Sequence, residues 1–359
     1  MSHALSRDLQ RAARVAGGPD ILWGAGGPQM AAWLRADGDL TKKAGAARAA
    51  FRADRAREAL IRRGIAHVPI TDASYPARLR RIFDPPFGLF GVGQVPGALA
   101  ALDAGPAIAI VGSRRPTAAG RRMASALAAD LAARGAVIVS GLARGIDAAA
   151  HEGALEAGGI TVAVLGSAVD RIHPRRHVGL ADRIQRDGAV VSEYWPGTEP
   201  MPWRFPARNR IIAGLGDAAV VVEAASRSGA LITADFAMEN GSPVLAVPGW
   251  PGSALSAGCN ALIRAGAALC EAADDVVAEV PGGAWADAPV APSSTGACAL
   301  VLSVVQREPA GVDRIAGEAG IGQAGGAGAL AALEMDGLVA RGQGGVFRAV
   351  PGRGRGGGL

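Results

Sequence analysis

The sequence predicts a doubly wound α/β domain, a parallel sheet with helices on both faces, on three observations. Six short apolar runs between Ala107 and Val247 alternate with Ala-rich helical windows. Each run is continuously apolar, as a strand covered on both faces must be. The junctions between runs and helices are small-residue loops, and several of them carry an arginine. The core domain is expected over residues 91–280.

The elements follow in order. Up to about Leu89 the pattern is helical and basic, with Leu9–Ala16, Met30–Leu34 and Lys42–Arg63 separated by Gly-Gly and Gly-Pro breaks. Residues 1–90 therefore read as a small helical domain closed by an extended lead-in, HVPITDASYPARLRRIFDPPFGLFGVG, with Pro85-Pro86 as a rigid junction. Strands are expected at Ala107–Val111, Ala136–Val139, Thr161–Leu165, Ala189–Val191, Ala218–Val222 and Val244–Val247. Residues 281–295 are rich in Pro, Gly, Ala and Ser and predict a linker. Over 296–350, helices at Ala297–Gln306, Val312–Ala319 and Gly326–Asp336 precede GLVARGQGGVFRAV, a hairpin around a Gly-Gly turn. Three helices and a hairpin is the winged-helix order. The tail, 351–359, is expected to be disordered.

Bulk properties narrow the function. At 359 residues, half of them hydrophobic, the chain has material for two or three domains. It has no uncharged apolar run of about 18 residues and no secretory-type N-terminal stretch, so no membrane span and a cytoplasmic location are expected. Cys259, Cys270 and Cys298 form no C-x-x-C pair and read as buried small hydrophobes; no metal is expected. The net charge of +5 is uneven: residues 1–100 hold 15 Lys+Arg against 8 Asp+Glu, and the remainder 22 against 24. Attraction to nucleic acid must come from the N-terminal region and local clusters. Lys42 and Lys43 are the only lysines, which fits either a GC-rich genome or a need for guanidinium chemistry.

In an open α/β sheet, ligands bind beyond the carboxyl ends of the strands. Gly112-Ser113-Arg114-Arg115, followed by Pro116-Thr117 at a helix start, makes an anion seat there, with Arg114 as a phosphate donor. The plainer alternative is a tight turn at Gly112 and a helix cap at Thr117. The glycines do not form G-x-G-x-x-G, so no dinucleotide cofactor is expected. The second loop, SGLARGIDAAAH from Ser140, carries Arg144. Asp147 is expected to cap its helix, and His151 to be a packed histidine. In Glu193–Arg210 the aromatics Tyr194, Trp195, Trp203 and Phe205 interleave with Arg204, Arg208 and Arg210, although aromatics are only 4% of the chain. Rings beside guanidinium groups suit unstacked bases, at ~1–3 kcal/mol per stacked base, and so favour single strands over duplex. Phe205, Arg208 and Arg210 are read as nucleic-acid contacts, and Tyr194 and Trp195 as plugs for the sheet edge. Asn209 either joins the site or caps a helix starting at Arg210. Ser228 and Gly229 start a helix whose N–H groups face a phosphate, with Thr233 one turn on. Glu223 and Glu239 are expected to pair with arginines. No general acid, base or nucleophile stands beside these loops, which favours holding a phosphate backbone over transforming a substrate. The last helix of the winged-helix segment, Gln323–Asp336, lacks Lys and Arg and carries Glu334 and Asp336, so it reads as a protein-contact or regulatory surface.

Together these residues resemble the DNA-processing protein A (DprA/Smf) family. The likeness is strongest over Gly112–Thr117, Ser140–His151, Phe205–Leu215, Val222–Ala237 and the run Pro248-Gly249, Gly258, Asn260, Leu262-Ile263, Gly266-Ala267. It implies an extended Rossmann-like core, a sterile-alpha-motif-like N-terminal domain and a winged-helix-like C-terminal domain. It also implies single-stranded DNA binding without sequence preference, homodimerisation, protection of incoming strands in natural transformation, and help in loading RecA recombinase. Carried over, Arg114, Phe205, Arg208, Asn209 and Arg210 line the DNA pocket. The chain departs from the family pattern at Ala119, Gly216 and Ser242, the last replacing a common arginine. The rival reading is an enzyme that hydrolyses nucleoside monophosphates on a related α/β fold. That group carries a Gly-Gly-x-Gly-Thr loop, whereas Ser228-Gly229-Ala230-Leu231 stands here.

Overall fold

Strands buried from both sides organise the larger part of the molecule. The computed structural model describes residues 52–286, 296–342 and 345–350. They fall into two compact units that part between Asp287 and Ala288.

In the first unit, α1 (Ala53–Arg62), β1 (Ala66–Pro69), α2 (Ala77–Arg80), β2 (Gly88–Gly93) and α3 (Val95–Ala104) lead into β3 (Ala107–Val111). There follow α4 (Ala118–Ala133), β4 (Val137–Ser140), α5 (Ile146–Glu156), β5 (Thr161–Val164), α6 (Val178–Asp187) and β6 (Ala189–Ser192). The unit continues with α7 (Arg204–Leu215), β7 (Ala218–Val221), α8 (Gly229–Glu239), β8 (Val244–Ala246), α9 (Ala257–Arg264), β9 (Ala268–Leu269) and α10 (Ala273–Glu279). The strands form one sheet in the order β1-β2-β6-β5-β4-β3-β7-β8-β9. From β6 to β9 all neighbours are parallel. β2 joins β6 antiparallel, and β1 joins β2 in the same way.

The two-residue period of a strand sends alternate side chains to opposite faces. Ala107, Ala109 and Val111 pack with Ile211, Ile212 and Leu215 of α7 and Ala234 of α8. Ile108 and Ile110 pack on the other face with Leu127 and Leu131 of α4 and Ala150 of α5. Burying each isoleucine fully contributes about 1.5–3 kcal/mol. The Ala-rich windows have a steric cause. A Cβ on Gly153 of α5 would lie 2.1 Å from the Ser125 carbonyl of α4, so these helices touch backbone to backbone.

All six expected strands form, with ends shifted by one residue at most. Four strands were not expected: β1, β2, the two-residue β9 at the far sheet edge, and Ala310–Gly311 in the second unit. The lead-in supplies β1 and β2, which pair Ala66 with Gly91 and Val68 with Leu89. The 90/91 boundary therefore falls inside β2. Glycines hide that strand in the sequence, yet Gly91 is needed: a Cβ there would lie 2.6 Å from Cγ2 of Val95. Helix α1 is the last part of the helical window Lys42–Arg63. The windows Leu9–Ala16 and Met30–Leu34, and with them residues 1–51 of the expected sterile-alpha-motif-like domain, most of the linker and the tail lie outside the described residues.

The three cysteines are buried and free, as small hydrophobes are. Burial pushes the Cys259 thiol up to about 11 and the Cys270 thiol to about 12. Among the described residues no helix is long and apolar enough to cross a membrane.

The second unit contains α11 (Gly296–Arg307), β10 (Ala310–Gly311), α12 (Val312–Glu318), α13 (Gln323–Met335), β11 (Val339–Arg341) and β12 (Val346–Ala349). Its sheet order is β10-β12-β11. Val301, Val304, Ile315, Leu330 and Leu333 form a core of their own beneath it. This is the winged-helix arrangement.

Candidate functional site

Successive strands from β3 to β6 are laid down in one direction, and β7 to β9 in the other, both starting from β3. The switch lies between β3 and β7, where the loops leaving the two carboxyl ends diverge and open a crevice. A cavity of about 490 Å³ occupies this place. Gly112, Ser113, Arg114 and Arg115 line it from the β3 loop, and Ser228, Gly229 and Thr233 from α8. Phe205, Arg208 and Asn209 of α7 and Asp147 of α5 complete the wall.

The β3 loop is held at both ends. Ser113 N donates to the Glu223 carbonyl (2.6 Å), and Ile146 N to the Ser113 carbonyl (3.1 Å). Thr117 caps α4, its Oγ1 accepting from Gly120 N at 2.9 Å. The Glu223 carboxylate accepts from Thr117 N (2.9 Å) and from Thr117 Oγ1 (2.5 Å). Glu223 thus binds a helix start and not, as expected, an arginine. Gly145, at φ +86°, brings the β4 loop against this one: a Cβ there would lie 2.3 Å from the Ser113 carbonyl. Gly145→Ala is expected to lower stability by about 1–3 kcal/mol from backbone strain alone, read as a lower urea midpoint.

Helix α7 starts at Arg204, six residues earlier than the cap reading of Asn209 required. Asn209 is mid-helix, and its Nδ2 donates to the Gly229 carbonyl (3.0 Å), tying α7 to the start of α8. Arg208 is buried. Its Nη1 donates to the carbonyls of Gly141 (2.7 Å) and Val164, closing the ends of β4 and β5. Burial pulls the Arg208 pKa down to about 10, against the opposing field of Asp147. Asp147 does not cap α5, whose N-cap is Gly145. Its carboxylate accepts from Gly141 N (3.2 Å) and Ala143 N (3.3 Å), and so folds the β4 loop on itself. Burial raises its pKa, with Arg208 opposing.

Arg210, on the far side of the same helix, does not reach the cavity. Its guanidinium pairs with Glu193 (2.8 and 2.7 Å), and its Nε donates to the Asp84 carbonyl (2.9 Å). Burial works against the charge, yet Glu193 and Asp84 hold the Arg210 pKa above its ordinary value. Thr117 and Arg144 are exposed on the same rim without lining the cavity. The remaining expected site residues, Gly112, Ser113, Arg114, Phe205, Arg208, Asn209, Ser228 and Gly229, do converge on it.

Phe205 is half-buried between the Arg114 guanidinium, 5.5 Å from its ring centre, and the His173 ring at 5.4 Å. His173 and the exposed Arg175 and Arg176, on the loop after β5, escaped the reading of the sequence. Their signal was available: a cationic HPRR run shortly past a strand's carboxyl end. Trp195 packs edge-on against Phe90 of β2 (5.2 Å), covering the sheet as expected. The Arg204 guanidinium lies over Tyr194 (4.9 Å) and Trp203 (5.0 Å). His151 is a packed core histidine, with Nδ1 2.7 Å from Thr161 Oγ1 and a pKa lowered by burial to about 3.

The N-terminus of α8 opens into the cavity with Ser228 as its cap, so the positive end of the helix dipole adds to the arginines. Thr233 Oγ1 is buried without a protein partner beside it. Asp147 is the one carboxylate among the described lining residues, and backbone N–H groups already engage it. Guanidinium groups, a helix N-terminus and an aromatic face together suit a phosphodiester with an unstacked base.

The comparisons with known proteins point to one family. A family model described as DNA recombination-mediator protein A matches residues 66–281, beginning at β1. A second, the DprA winged helix domain, matches residues 286–345. DNA processing protein DprA of Bacillus subtilis is 40% identical over 218 residues, 61% of this chain and 72% of that protein. The crystal structure of DNA processing protein A from Streptococcus pneumoniae has a TM-score of 0.57 at 37% identity, covering 75% of this chain and 86% of its own. The Helicobacter pylori protein, described for its single-stranded DNA binding mode, has a TM-score of 0.54 at 29% identity over 61% of this chain and 96% of its own.

Proposed function

The chain belongs to the DNA recombination-mediator protein A family, a family of DNA-processing proteins, and from that premise we propose that it binds single-stranded DNA without sequence preference. The observation that carries this reading is the switch-point cavity, where Arg114, Arg115, the α8 N-terminus and the Phe205 ring share one wall system. The cations take the backbone and the ring takes a base face, which duplex DNA keeps stacked. Cations and a ring face engage the backbone charge and the π-face that every nucleotide shares. On the same reading the chain holds its ligand without turning it over, protects incoming strands during DNA uptake and recombination, acts as a homodimer, and hands strands to RecA recombinase. The family resemblance supports these finer roles.

The test is fluorescence anisotropy with labelled oligo-dT, against duplex DNA and a nucleoside monophosphate as competitors, at several salt concentrations. Preferential binding of the single strand is expected. For about three phosphate contacts, log K should fall against log salt with a slope near −2. Equal affinity for duplex, or indifference to salt, would overturn the reading. Efficient competition by the mononucleotide, accompanied by release of its base, would favour the hydrolase.

A further inference from the structure

We propose that Glu223 is a positioning residue for strand binding, an internal anion that occupies the N-terminus of α4 and thereby shapes the loop carrying Arg114. The inference rests on the binding role proposed above. A helix start attracts an anion, and in a strand–loop–helix junction that anion is ordinarily the ligand. Here the chain brings its own. Glu223 stands just past the end of β7, across the switch point, and its carboxylate takes both Thr117 N (2.9 Å) and Thr117 Oγ1 (2.5 Å). The Thr117 hydroxyl accepts in turn from Gly120 N (2.9 Å). The main-chain oxygen of Glu223 takes Ser113 N at 2.6 Å. One residue therefore pins the loop on both sides of Arg114 and Arg115.

The glycines beneath it are cut to the same shape. A Cβ on Gly120 would lie 2.4 Å from the Glu223 carboxylate carbon, so the acid rests on the bare face of α4. A Cβ on Gly112 would lie 2.9 Å from the Glu223 carbonyl. Two consequences follow. The α4 seat is closed to a ligand phosphate, because a second anion beside Glu223 meets like charge. The phosphate is directed to the α8 N-terminus, whose cap, Ser228, is an uncharged hydroxyl. The sequence motif at Gly112–Thr117 then serves to aim Arg114 and not to cradle the phosphate with its own helix.

Chemical rescue tests this. Glu223→Ala is expected to weaken oligo-dT binding about tenfold, less than loss of Arg114 itself. Sodium formate, at ionic strength matched with sodium chloride, should restore most of that affinity by refilling the seat, and should raise the melting temperature of Glu223→Ala but not of the wild type. Gly120→Ala, which displaces the carboxylate while leaving it in the chain, should show the same loss without rescue. Unchanged affinity in Glu223→Ala, or a loss that formate repairs neither in binding nor in melting, would overturn the proposal. Were the wild type to bind no single strand, the proposed function would fall, and the formate-dependent melting would still decide whether Glu223 fills the seat.

Discussion

Arg210→Ala is expected to destabilise the chain by about 3–5 kcal/mol, the cost of stripping one partner from a buried charge network. Arg210 is 5% exposed. It meets Glu193 through two nitrogens and Asp84 through Nε, at 3.2 Å from Oδ2 as well as through the carbonyl. Those carboxylates are themselves largely buried, so removing the guanidinium leaves two like charges facing a hole in the wall between α7 and the Asp84 segment. Arg210→Lys should recover part of the loss, because a single ammonium cannot reproduce the bidentate contact to Glu193. Urea denaturation reads the loss, and DNA affinity per folded molecule should be nearly unchanged. A variant of native stability that had lost oligo-dT binding would return Arg210 to the ligand site.

Arg114→Ala should do the reverse. The side chain is exposed and lies over the Phe205 ring, 5.5 Å from its centre, so little folding energy depends on it. A charge-assisted bond to a phosphate contributes about 1.5–3 kcal/mol, which corresponds to a roughly 10- to 100-fold loss of affinity. The salt slope should also become shallower, since one phosphate contact fewer is neutralised. A lowered melting temperature with unchanged affinity would make Arg114 a structural residue.

The contrast between Arg208 and Arg210 shows where sequence reading stops. Consecutive residues on a helix are turned by about 100°, so positions i and i+2 look in nearly opposite directions. The run Arg208-Asn209-Arg210 was legible as a basic turn leading into a helix, although the helix begins at Arg204. Which arginine faces the crevice depends on how α7 is rolled against the sheet, and the partners that reveal it are remote: Asp84 is 126 residues from Arg210. Glu223 and Thr117, 106 residues apart, pose the same difficulty. The strands were legible because burial from both sides leaves a continuous apolar signature that needs no knowledge of partners. β2 was not, because its glycines answer to Val95 and to the turn at Gly93 and mask that signature. The convergence of the β3 and β4 loops with α8 was legible from one rule of topology, which places all carboxyl ends on one rim.

The strand order also dictates when the crevice can come into being. As the chain leaves the ribosome, β3 gains β4 as a neighbour first, and its other edge stays bare until β7 emerges, because Ile108 pairs on that side with Ala218. The early hairpin of β1 and β2 waits in a similar way for β6, where Phe90 meets Ser192. Pairings so distant in sequence are slow to form and leave strand edges open during synthesis. The half-made protein therefore displays the arginine loop and the front wall of the cleft with no back wall, and the capacity to hold a ligand arrives abruptly, late in translation, when β7 and α8 dock.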